Sequence, residues 1–168
     1  MTEAAEKYFN RLYPDGEFGL AFTDPEFTEF FANFSCDETV NQDDLDDRTR
    51  MMAILAALLG CQGIDEFREV LPGALNLGVT PVEIKEIVYQ ACAYLGIGRV
   101  RPFFDAVNEV LTEKGVALPL EGQATTTIED RVEKGEQAQV DIFGDGMKGF
   151  ASSGPEESRH INRWLSGN

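Results

Sequence analysis

Along the chain, apolar residues recur at spacings of three and four, and no stretch alternates in the manner of a half-buried strand. Ala5, Tyr8, Phe9 and Leu12 make one face of a helix over 3–13, stopped by Pro14-Asp15-Gly16. Thr23 or Asp24 caps a second helix that starts at Pro25 and carries Phe27, Phe30, Phe31 and Phe34 on one face. The polar run Asn41-Gln42-Asp43-Asp44-Leu45-Asp46-Asp47 lacks the glycine and the closing glutamate of a calcium loop. Lying just ahead of a helix, its aspartates suit the positive end of the helix dipole. From Arg48 to Leu59 the apolar residues go nearly all the way round, which predicts a central, buried helix.

A helix from about Ile64 to Leu77 turns Ile64, Phe67, Leu71, Ala74 and Leu75 inward and ends at Gly78. Pro72 inside it predicts a kink or a break near Glu69. Thr80-Pro81-Val82-Glu83 reads as a capping box, opening a helix that buries Ile84, Ile87, Val88, Ala91 and Leu95. Gly96 and Gly98 interrupt the chain, and Val100, Phe103, Phe104, Val107, Val110 and Leu111 stripe the next helix up to Gly115. Two further helices follow, from Thr127 to about Phe143 and from Pro155 to about Leu165. The fold class is all-α.

A shift of 130 residues lays 9–38 over 139–168 without a gap. Asp15, Gly16, Gly19, Ala21, Pro25 and Glu26 meet the same residue types at Asp145, Gly146, Gly149, Ala151, Pro155 and Glu156. Leu12, Tyr13 and Phe34 meet Ile142, Phe143 and Trp164. The coincidence of turn residues and aromatics marks an internal repeat. It also accounts for Gly144-x-Gly146-x-x-Gly149, which follows a helix rather than a strand and so lacks the setting of a dinucleotide loop. The chain therefore reads as an acidic helical leading segment (1–47), a core (48–115) and a C-terminal helical extension resembling residues 9–38 (116–168).

Composition narrows the function classes. With 14 basic and 30 acidic residues the net charge is −16, which argues against nucleic acid and anionic membranes as partners. No apolar run reaches the length of a membrane span and no secretory leader is legible, so a cytoplasmic location is expected. Cys36, Cys61 and Cys92 are odd in number and widely spaced, so they make no disulfide framework. With His160 as the only histidine, no metal site is expected either.

The Arg-led apolar helix at Arg50, the run Ala74-Leu75-Asn76-Leu77-Gly78-Val79-Thr80-Pro81-Val82-Glu83-Ile84-Lys85-Glu86-Ile87 and then Ala93-Tyr94-Leu95-Gly96 carry a resemblance. From Arg48 to Leu111 the chain resembles the carboxymuconolactone decarboxylase family, which includes the alkylhydroperoxidase D-like proteins. The resemblance implies a helical bundle of the alkylhydroperoxidase D-like type that self-assembles, as a trimer or hexamer, without an organic cofactor. Peroxidase members of the family carry a Cys-x-x-Cys pair, a following His and an upstream Glu. Counted back from Gly78, these positions fall here on Gly63 and Glu66, on Val70 and on Met51. None of the four peroxidase residues is present, so a dithiol cycle is not expected.

Decarboxylase-like members keep a Glu at the second Cys position and the following His; Glu66 matches the first, and Val70 stands in place of the second. The resemblance thus implies a cofactor-independent lyase acting on a small carboxylated lactone or related carbonyl compound. The alternative is a catalytically degenerate binding or scaffold protein of the same fold. Glu66 is the candidate acid or base. Cys61, at the junction of two helices, is the candidate thiol, with a small buried hydrophobe as its plain reading. Arg50, Arg99 and Arg101 are candidate anchors for an acidic metabolite, with structural ion pairs as their plain reading.

Overall fold

The computed structural model describes every residue except Asp15, Glu17, Phe18 and Asn168, so the Asp15 part of the first turn and of the repeat lies outside the described residues. Among the described residues there are helices and no strand. The chain forms two compact units, Met1–Leu120 and Glu121–Asn168.

In the first unit, α1 (Glu3–Leu12) and α2 (Pro25–Asn33) precede α3 (Asp47–Gly60), α4 (Ile64–Asn76), α5 (Pro81–Leu95) and α6 (Ile97–Glu113). The last four form the core, α3 packing on α4 and α5, and α6 packing on the same two helices from its own side. Phe67 and Phe103 meet edge to face at its centre, with ring centroids 5.1 Å apart. Helix boundaries follow local chemistry. The Asp46 side chain accepts from the Thr49 backbone N–H at the start of α3, so the acidic run does serve as a cap. Both halves of the Thr80–Glu83 capping box are formed at the start of α5. The α5–α6 corner turns at Gly96 alone, whose φ of +78° suits a residue without Cβ. Gly98 lies inside α6 rather than breaking the chain.

Three expectations change in space. Helix α4 runs through Pro72 without a break. Helix α3 is not buried all round: Met51, Leu55 and Leu59 face the core, whereas Ala53, Ile54, Ala56 and Ala57 are exposed, because α4 and α5 cover only one side. Of the phenylalanines expected on one inward face, Phe31 lines a cavity described below, while the others face outward. Phe27, Phe30 and Phe34 are each more than half exposed, and the buried positions are instead Thr28 and Ala32.

Helix α1 ends against α4. The Asn76 amide donates to the Leu12 carbonyl at 2.6 Å, and the Tyr13 hydroxyl donates to the Glu69 carbonyl at 3.2 Å, in the turn before Pro72. Gly73 makes this approach possible: a Cβ there would lie 3.0 Å from Leu12 Cδ2 and 3.3 Å from Tyr13 Cζ. After α2 the chain widens into a π-helical turn, Phe34–Glu38, with the Thr39 N–H bonded to the Phe34 carbonyl. Thr2 fastens this turn region to α1, its N–H donating to Asn33 and its hydroxyl to Asp37, both at 2.7 Å.

The second unit consists of α7 (Arg131–Phe143), two short 3-10 turns and α8 (Arg159–Gly167). Its last helix starts at Arg159, after a turn from Pro155, rather than at Pro155 itself. Helix α8 packs on α7 backbone to backbone, for a Cβ at Gly135 would fall 1.5 Å from the Ser166 carbonyl oxygen. Among the described residues, no helix of the chain is long and apolar enough to cross a membrane.

Candidate functional site

A cavity of about 200 Å³ opens in the first unit between the leading segment and the core. Each element contributes the face that its sequence turns inward. Helix α1 supplies Tyr8, Phe9 and Leu12, with Tyr13 just beyond its end. The small residues Thr28, Ala32 and Cys36 follow one another at helical spacing along α2 and the π turn, with Ser35 alongside. From the core come Arg50, Met51, Ile54 and Leu58 of α3, and Glu66 and Val70 of α4. The wall is mostly hydrocarbon and aromatic ring.

Three of the four positions to which the resemblance points meet here, and the fourth, Gly63, lies outside the lining. Met51, Glu66 and Val70, separated in sequence, line this one cavity, and Glu66 is the only ionisable group of the three. Burial, and then the neighbouring Glu69 carboxylate, raise the Glu66 carboxyl above its ordinary pKa. Burial also pushes the Cys36 thiol up, which makes it a poor nucleophile. Burial, followed by the nearby Asp47 carboxylate, raises the Tyr8 phenol well beyond its usual range, so it remains a neutral hydroxyl.

The remaining sequence candidates are placed as follows. Arg50 lines the cavity but directs its terminal nitrogens away, to the Asp43 carboxylate at 2.9 Å, the Leu45 carbonyl at 3.1 Å and the Val40 carbonyl at 3.4 Å. It thereby clamps the loop before α3, leaving Nε as its buried N–H without a partner in the protein. Cys61 caps the end of α3, is exposed, and lies outside the cavity lining with its sulfur 3.4 Å from the Leu58 carbonyl. Arg99 and Arg101 are exposed in the first turns of α6, outside the cavity lining, and Arg101 faces Asp105 at 3.9 Å.

The polar groups that sequence reasoning missed belong to the leading segment. Tyr8 and Thr28 are each 7% exposed and belong to the cavity lining; the Thr28 hydroxyl has no hydrogen-bond partner within the protein, whereas the Tyr8 hydroxyl lies against the Asp47 carboxylate. The same carboxylate binds Arg11. A signal existed for Thr28: with Ala32 and Cys36 it makes a small-residue stripe at helical spacing, flanked by Phe31.

Comparison with known proteins agrees with this arrangement. The sequence profile described as "Carboxymuconolactone decarboxylase family" matches residues 25–109, a stretch that takes in α2, the π turn and nearly all of the core. A 4-carboxymuconolactone decarboxylase of Acinetobacter baylyi is 29% identical over 112 residues, covering 67% of this chain and 81% of the relative. No solved structure matches the chain. The profile accounts for half of the chain, and the chain belongs to the carboxymuconolactone decarboxylase family.

Proposed function

We propose that the protein takes a small lactone or related carbonyl compound, carboxylated or not, into this cavity and acts on it through Glu66, as a carboxymuconolactone decarboxylase-like protein needing no organic cofactor. The observation that carries the proposal is the position of Glu66. A carboxyl on an apolar wall, with its pKa raised, can donate its proton to a carbonyl oxygen and, once ionised, take one from the adjacent carbon. The relative's name supports the same substrate chemistry.

A second reading, a binding or scaffold protein of the same fold, is favoured by Met51 and Val70. They place thioether and hydrocarbon where a proton relay would need polar groups. Self-assembly belongs to both readings and is supported by the exposed apolar side of α3, Ala53, Ile54, Ala56 and Ala57.

The two are separated by following exchange of the carbon-bound protons next to the carbonyl of γ-butyrolactone and of phenylacetone in heavy water by NMR. An enzyme accelerates exchange over buffer, and Glu66→Gln removes about 10²–10⁴-fold of it. A scaffold leaves the exchange rate at that of buffer while the same compounds still raise its melting temperature.

A further inference from the structure

Helices α2 and α8 each leave an apolar face in water. On α2, Phe27, Phe30 and Phe34 are each more than half exposed, and the first two floor a shallow groove edged by Glu26, Glu29 and Asn33. On α8, Ile161, Trp164 and Leu165 fall on one side and are each about half exposed or more. The other side of α8 is in use, Asn162 donating to Ser153 and Ser166 to Gln139.

Charge gives these two faces a fit. Glu26 and Glu29 follow one edge of the α2 strip; Glu29 holds the Met1 ammonium, whereas Glu26 makes no ion pair among the described residues. Helix α8 has no acidic residue, although the chain's net charge is −16. His160 and Arg163 follow one edge of its strip, and Arg163 makes no ion pair among the described residues. With about 100° between successive residues, the charged edge lies on the same side of the strip in both helices, seen from each N-terminus. Helices packed face to face bring same-sided edges together only when they run antiparallel. That orientation sets His160 and Arg163 beside Glu26 and Glu29, and the parallel one parts them.

We propose that α8 docks antiparallel on α2 of a second copy of this chain, and that the partner returns the same contact. The exchange makes the contact twice. At the ~150–250 Å² of a fully buried aromatic side chain, one contact between these half-bared faces removes on the order of 700 Å² from water. Two reach the ~1,200–2,000 Å² of a stable interface. Residues 114–130 carry no helix and can span up to about 55 Å, an arm long enough to carry the trailing helices across. The contact uses no residue of the cavity lining, so it stands or falls apart from the function proposed above.

The test puts the photo-crosslinker p-benzoylphenylalanine in place of Phe30 in the full chain, with adducts read on a denaturing gel and by peptide mass mapping. A covalent dimer joined to residues 159–165 of the partner is expected. Leu165→Glu should lower its yield at least ~10-fold, and Ile161→Glu serves the same purpose should the first variant fold poorly. Arg163→Glu should lower the yield about 2–5-fold, and adding Glu26→Arg should restore it. An adduct to residues 159–165 within one chain overturns the second copy as occupant. Adducts elsewhere, no adduct, or a yield indifferent to both apolar variants overturn the docking itself. A charge exchange that restores nothing overturns the antiparallel orientation.

Discussion

The two stretches that a shift of 130 residues pairs in sequence, 9–38 and 139–168, make a natural comparison. The same shift, carried four residues further back than the paired stretches, sets Ala5 opposite Gly135, and within them it sets Cys36 opposite Ser166. Ala5 and Cys36 are buried where α1 packs on the π turn, and Gly135 and Ser166 meet where α7 packs on α8. Beyond that crossing the two stretches diverge. Leu12 is 7% exposed and seated on α4, whereas its counterpart Ile142 and the adjacent Phe143 are each 72% exposed. Among the described residues of the second unit only Ala151 and Ser166 are buried. The same apolar pattern therefore makes a core face in one place and an open face in the other. A hydrophobic pattern specifies which side of a helix can be buried; whether it is buried depends on what the chain brings to it.

The largest expected effect tests that contrast directly. Leu12→Ala should cost about 2–5 kcal/mol of unfolding free energy, as for other fully seated leucines. Ile142→Ala should stay within about 0.5 kcal/mol, as for an exposed site. Parallel urea titrations of the two variants decide it, and equal losses would mean that the second stretch's apolar face is covered in solution.

Next in size is the seat itself. Gly73→Val forces Leu12 and Tyr13 off α4 and should cost about 1–3 kcal/mol by overpacking. Because those two residues also line the cavity, weaker binding of phenylacetone should accompany the loss of stability. An unchanged melting temperature would show that α1 does not depend on this approach.

The smallest effect lies in pH dependence. A carboxyl whose pKa is raised by folding holds its proton more tightly in the folded chain than in the unfolded one. The stability linked to Glu66 is thus fully present below the ordinary glutamate pKa and is lost as pH rises through the folded value. Glu66→Gln removes that dependence. Its melting temperature relative to the parent should be lowest near pH ~4 and climb toward neutrality. A difference that is flat with pH would place Glu66 in water rather than against the cavity.

Much of this was legible in the chain because it depends on neighbours in sequence. The Thr80–Glu83 box, the Asp46 cap, the turn at Gly96 and the Phe103/Val107/Leu111 stripe are local contacts, fixed by residue type and spacing within a turn or two. The grouping of Met51, Glu66 and Val70 came from the family resemblance, counted back from Gly78, and the fold sets these three on one cavity.

What only the tertiary structure decided was which faces found partners. Phe27 and Phe30 of α2 and the outer side of α3 have the periodicity of buried faces, yet α1, α4 and α5 cover other sides. The same choice put Thr28, Tyr8 and Cys36 at the cavity, left Cys61 outside it, and turned the ends of Arg50 toward a loop. Burial is a property of surfaces meeting in space, and a sequence pattern proposes those surfaces without saying which of them meet.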